Sequence, residues 1–283
     1  MTDTNPRYSK APELAQWATE GEGDGRAYRD PFEPDSRFPS VTTVLKLEAK
    51  NLEGWVGMKV AELAIERWQD MGRDPEQIMK WLPYAANKFR DDRAWVGSGL
   101  HAAIDADVKE EWFVHELTPE QEAMFAQWEA AKAALMIRPI MSEFTVRIGD
   151  TMGTADLLAE VSEDYGETWE TLYLDVKSSR GTWPGHRMQL GALSKATHYF
   201  EKVDEGTPGA ALHKYTDSDT KKQVKTYWLK KPMPSFDGVA ILHIREDKWD
   251  LIRVENVDLH AQRFEHYRRI WDLNKELKAL GDS

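Results

Sequence analysis

The apolar pattern of the chain changes period near Pro139, and a chain that does so has to combine helices and a sheet in its core. Before that point apolar residues recur at helical spacing over 11–19, 41–64 and 75–93, separated by loops rich in Gly, Asp and Pro at 21–26 and 29–36. Further helices are expected over 97–108 and from Thr118 to 136. Thr118 supplies the N-cap of the second, Pro119 its first turn, and Gln121 the other half of a capping box. After Pro139 the texture becomes short β-like runs at 141–148, 153–161 and 170–176, joined by turn residues at 149–150 and 162–166. A helix over 184–200, a hairpin over 238–245 and 248–254, and a last helix capped by Asp258 and running to 280 complete the order. The expectation is a single α/β domain over 1–283. It has a mixed central sheet flanked by helices at 96–283 and a helical portion at 1–95.

Composition narrows the chemistry. The 283 residues contain no cysteine, which excludes disulfides, thiolate nucleophiles and cysteine-ligated zinc or iron–sulfur centres. Any metal must sit on carboxylates, imidazoles or carbonyls. The net charge of −12 is not that of a typical nucleic-acid binder, although a local basic groove can hold phosphate on an acidic body. Apolar runs are short and interrupted by charge, and the first residues lack the basic-then-apolar order of a signal peptide, so a cytoplasmic protein without membrane contact is expected. No Gly-x-Ser-x-Gly elbow, Walker loop, His-Glu-x-x-His pair or dinucleotide-binding glycine motif is present.

Two of the expected strands carry a constellation with a chemical meaning. Asp156 lies in Gly153-Thr-Ala-Asp156 on the second, and Asp175-Val-Lys177 ends the third. Alternate side chains of a strand share a face, so Asp175 and Lys177 point the same way while Val176 points to the core. Two carboxylates on adjacent strands, with the Val176 carbonyl, suit Mg2+ or Mn2+, and an ammonium group beside them suits a phosphodiester under attack.

With Gly97-Ser-Gly-Leu-His101 upstream and Met188-Gln189 downstream, this order resembles the PD-(D/E)xK nuclease superfamily, specifically its RecB-like branch of phage recombination and CRISPR-associated exonucleases. The resemblance covers about 97–200. It implies a restriction-endonuclease-like fold and a metal-dependent DNA nuclease, more an exonuclease of recombination or end processing than a site-specific endonuclease. Its substrate would be DNA, single-stranded or at a duplex end, and a recombination or replication protein is the implied partner. Asp156, Asp175, Lys177 and Gln189 would form the catalytic set, with His101, Asp156, Asp175 and Val176 on the metal. Asp105, one turn beyond His101, is a candidate to orient the imidazole. Leu193 stands where the family has Tyr, and the iron–sulfur cysteines are missing. A protein that binds DNA on the same fold without cleaving it is the alternative.

Substrate contact needs cations outside the metal site. Ser178, Ser179 and Arg180 directly follow Lys177, and Trp183 stands at the mouth of the expected site, where it can stack on a base. A basic insertion at about 201–235 adds Lys214, Lys221, Lys222 and Lys225 with Trp228 among them, a pattern suited to phosphate contact and base stacking; the bland reading is a solvated hairpin.

Overall fold

A computed structural model describes residues 12–16, 25–48, 53–66, 76, 82–113, 115–217 and 220–281. Three strands come first: β1 (Ala15–Gln16), β2 (Ala27–Asp30) and β3 (Glu33–Pro39). Helices α1 (Val41–Leu45) and α2 (Glu53–Glu66) follow, then a 3-10 turn at Leu82–Tyr84 that leads into α3 (Ala85–Val108), and α4 (Pro119–Ala134). The second half is β4 (Arg138–Ile148), β5 (Thr151–Val161), β6 (Glu170–Lys177), α5 (Pro184–Leu193), β7 (His198–Val203), β8 (Ala211–Thr216), β9 (Gln223–Pro232), β10 (Gly238–Ile244), β11 (Trp249–Arg253) and α6 (Val257–Leu280).

Eight strands form one mixed sheet in the order β11-β10-β6-β5-β4-β7-β9-β8. Only β10 and β6 run parallel, in a register that sets His243 beside Lys177. On one face α3 and α4 pack through Leu100, Ile104, Met124 and Trp128 against Leu157, Leu172, Leu174 and Val176. On the other, α1, α5 and α6 pack through Val44, Leu190, Leu193 and Phe264 against Phe144, Leu158, Tyr173 and Ile241. The result is a large mixed sheet between two helical layers, and burial on both faces explains why β5 and β6 read as almost continuous apolar runs.

Several elements differ from the sequence expectation. Residues 27–39 are two strands of a three-stranded sheet, not a loop in a helical portion, and Ala15–Gln16 is strand rather than helix. The other residues expected to be helical at 11, 17–19, 49–52, 75 and 77–81 lie outside the described residues. Local propensity is overruled here by long-range docking. Tyr28 and Phe38 are buried with Met152, Phe200 and Trp228 of the main sheet, and fully buried Asp30 receives Arg147 at 2.6 Å and faces Lys230 at 3.7 Å. The helix expected over 184–200 stops at Leu193, because His198 to Val203 leaves it to pair with β4 and β9. The basic insertion is part of the main sheet as its edge strands β9 and β8. The last helix is capped by Asn256 in the left-handed region, not by Asp258, which sits in its first turn.

Candidate metal centre and its cleft

Two glycines bring α3 against the sheet. A Cβ on Gly97 would meet Ser178 Oγ at 3.2 Å, and one on Gly99 would meet Gln121 Nε2 at 2.0 Å. Their absence lets α3 lie against the segment that follows β6 and against the capping box of α4, where Gln121 also donates to the Val96 carbonyl. His101, one turn on, then reaches the sheet. Its Nε2 donates to the Val176 carbonyl at 3.1 Å and its Nδ1 to Glu143 Oε1 at 3.1 Å, with Asp156 Oδ2 at 3.8 Å. Asp105 does not orient the imidazole. Its carboxylate instead accepts from Ser142 at 2.6 Å and from Lys109 at 2.7 Å.

The pleat of β5 is broken at this point. Ala155 and Leu158 face one core while Leu157 and Ala159 face the other, so alternation slips beside Asp156. Opposite, Glu143 holds φ at 45°, a left-handed conformation that costs a non-glycine residue on the order of 1 kcal/mol. Such local strain re-aims side chains, and it puts Glu143 and Asp156 on His101. His101, Glu143 and Asp156 each offer one ligand atom within 4.8 Å of the others. Sequence reasoning missed Glu143, because strand alternation does not anticipate a residue turned out by a positive φ.

Asp156 and the end of β6 are joined directly. Asp156 Oδ2 accepts from the Val176 amide at 2.8 Å, Lys177 Nζ donates to Asp175 Oδ1 at 2.6 Å, and Nζ stands 3.9 Å from Asp156 Oδ2. Asp175 is only 1% exposed, and its second oxygen is buried without a hydrogen-bond partner. Burial pushes its carboxyl up to about 7 against the opposing pull of Lys177. For Lys177 burial disfavours the cation, but Asp175 and Asp156 outweigh it and raise the ammonium. Burial likewise opposes the imidazolium of His101, and Asp156 and Glu143 overcome that to raise it to about 9.

His101, Glu143, Asp156 and Lys177 line a cleft of about 680 Å³ together with Arg26, Tyr28 and Ser40 of the N-terminal segment and Gln189 of α5, while buried Asp175 reaches it only through its bond to Lys177. Tyr28 Oη and Thr154 Oγ1 are 2.8 Å apart on its wall. Gln189 lines the cleft, while Lys177 is turned to Asp175 and the Val176 carbonyl. Leu193, in the position of the expected tyrosine, is buried against Gly153 of the Gly-x-x-Asp motif, where an added Cβ would meet it at 2.8 Å.

The remaining candidates separate. Arg180 and Trp183 are exposed at the end of β6 and the start of α5, and the backbone carbonyls of Ser178 and Ser179 are held by Arg93 and His243. Trp228 is not a stacking platform: it is buried in the core between the two sheets, its Nε1 donating to Thr226. Lys214, Lys221, Lys222 and Lys225 are exposed on the β8–β9 hairpin, with Lys225 on β9 three strand spacings or roughly 14 Å from β5 and Lys214 on β8 four, or roughly 19 Å. Lys214 and Lys225 are cross-strand neighbours on β8 and β9, and neither lines the cleft. The structure therefore brings His101, Asp156, Asp175, Val176, Lys177 and Gln189 together and leaves the basic hairpin apart. No protein-family model matches the chain, and no curated protein matches it.

Proposed function

We propose that this chain is a Mg2+- or Mn2+-dependent deoxyribonuclease of the PD-(D/E)xK type, RecB-like, on a restriction-endonuclease-like arrangement of the sheet. The observation that carries the reading is the convergence of Asp156, Asp175 and Lys177 from neighbouring strands, with one Asp175 oxygen buried and unpartnered. A buried carboxylate oxygen without a donor is costly, and a cation is the partner that fits it. The donor set is rich in oxygen, as hard divalent cations prefer: carboxylates of Asp156, Asp175 and Glu143, the Val176 carbonyl, and one imidazole from His101. A divalent cation held there neutralises charge on a phosphodiester and makes the attacking water more acidic.

The chain's own groups divide the remaining work. Lys177 is held protonated by two carboxylates, so it stabilises developing oxyanion charge and orients the phosphate; it does not accept a proton. His101 must surrender a proton to become a ligand, and Glu143 accepts its Nδ1–H and fixes the ring. Gln189 is placed to bond a phosphate oxygen from the far wall of the cleft. An exonuclease of DNA end processing is the activity best suited to a cleft walled by the N-terminal sheet.

End-labelled linear and circular DNA, single- and double-stranded, incubated with and without Mn2+, tests the reading. Linear substrates should be degraded from an end only with the metal, and Asp175→Ala and Lys177→Ala should each lose the activity while keeping the wild-type circular dichroism. Undiminished cleavage by purified Asp175→Ala would sink it.

A further inference from the structure

The four residues after Lys177 are held more tightly than a connecting loop requires. Arg93 of α3, itself ion-paired with Glu120 of α4, donates to the Ser178 carbonyl at 3.5 Å. The Ser179 hydroxyl donates to the Gly181 carbonyl at 2.7 Å. The shortest of these bonds comes from the neighbouring strand: His243 of β10 donates through Nε2 to the Ser179 carbonyl at 2.6 Å. His243 is buried and lies in parallel register with Lys177, so it bonds two residues beyond its own partner and fixes how the chain leaves β6. What the clamped segment displays is polar and aromatic: Arg180 is exposed three residues after Lys177, within about 11 Å by chain length, and Trp183 is 55% exposed at the N-cap of α5.

Resting on the nuclease reading above, we propose that His243 is a positioning residue for strand binding: by pinning the Ser179 carbonyl it pre-organises Arg180 and Trp183 to grip the nucleic-acid strand next to the cleaved phosphate. A loop already held in its bound conformation loses less entropy on binding, so the gain appears in substrate affinity and not in the chemical step. His243 itself touches neither phosphate nor metal ligand in this arrangement; it acts through Arg180.

The test is steady-state cleavage of a labelled single-stranded oligonucleotide in Mn2+ by wild type, His243→Leu, His243→Asn, His243→Gln, Arg180→Ala and the His243→Leu/Arg180→Ala double variant. Gln carries a donor at about the reach of Nε2, whereas Asn is one methylene short. We expect KM to rise up to about tenfold in His243→Leu and His243→Asn, the upper end of what losing one hydrogen bond to a backbone carbonyl costs, with kcat and Mn2+ affinity unchanged. His243→Gln should restore the wild-type KM, and His243→Leu should add less than twofold once Arg180 is gone. Asn keeps the site polar and carries the test alone if the Leu variant does not fold. An unchanged KM, a fall in kcat with KM intact, or full additivity with Arg180→Ala overturns the role of His243. A wild type inert toward every DNA form in Mn2+ instead overturns the nuclease reading.

Discussion

At the scale of single residues, burial ties the protonation of Asp175 and His101 to the stability of the fold. Both have folded pKa values above their ordinary ones, Asp175 at about 7 from 3.8 and His101 at about 9 from 6.5. A raised value means that the folded state binds protons more tightly, so each contribution is full below the unfolded pKa and is lost as pH rises through the folded one. For Asp175 that window is about pH 4 to 7, and for His101 about 6.5 to 9. The metal-free protein should therefore lose stability against denaturant over both windows, and Asp175→Asn should gain on wild type as pH rises from 4 to 7. A constant difference between the two across that range would show that Asp175 ionises as an ordinary carboxylate. The same protonation governs the metal. An imidazolium cannot ligate, so Mn2+ must displace a proton from His101, and calorimetric affinity should climb steadily from pH 6 to 9 with proton release on binding. An affinity independent of pH would leave His101 outside the ligand set.

At the scale of elements, the junction of α3 and α4 sets where His101 stands. Gly→Ala in a helix interior ordinarily stabilises by about 1 kcal/mol. Gly99→Ala should do the opposite, because the new methyl would sit 2.0 Å from Gln121 Nε2 and drive that side chain out of its bonds to the Val96 carbonyl and the Thr118 cap. The lost cap and a stranded buried amide cost about 1–3 kcal/mol net, measurable by urea denaturation. Gly97→Ala, whose Cβ would stand 3.2 Å from a serine hydroxyl, should be nearly neutral. Elements ruled by such short-range chemistry were legible in the sequence. The Thr118 capping box, the Gly149-Asp150 turn and the two strands that carry Asp156 and Asp175 all stand where spacing put them. Elements ruled by distant partners were not. Nothing local in Arg29-Asp-Pro-Phe shows that Asp30 will be buried beneath Arg147, and nothing in the apolar period of 184–200 shows that β4 and β9 will claim its last residues. The site followed the same division: Asp156, Asp175 and Lys177 could be read from strand spacing, whereas Glu143 depends on a positive φ that spacing conceals.

At the scale of the whole molecule, the proposed nuclease is a body of net charge −12 that would bind a polyanion through few cations. On that reading, long-range repulsion leaves affinity to Arg26 and Lys177, which line the cleft, and to Arg180, exposed three residues beyond Lys177. Each phosphate contact to a single strand contributes about 0.7 to the slope of log K against log salt, so three cations set a slope of about −2. The hairpin lysines lie outside the cleft beyond β4 and β7, with Lys225 on β9 about 14 Å and Lys214 on β8 about 19 Å from β5. Reversing them to Lys214→Glu/Lys225→Glu should leave both the slope and the Kd for a twenty-nucleotide strand unchanged, while Arg180→Ala should reduce the slope by about 0.7. Fluorescence anisotropy across a salt series, with Ca2+ in place of Mn2+ to prevent turnover, measures both. A wild-type slope steeper than about −4, relieved by the hairpin reversal, would require the strand to leave the cleft, pass the edge of the sheet and reach β8. In that case the hairpin, and not the segment after Lys177, would supply most of the binding energy.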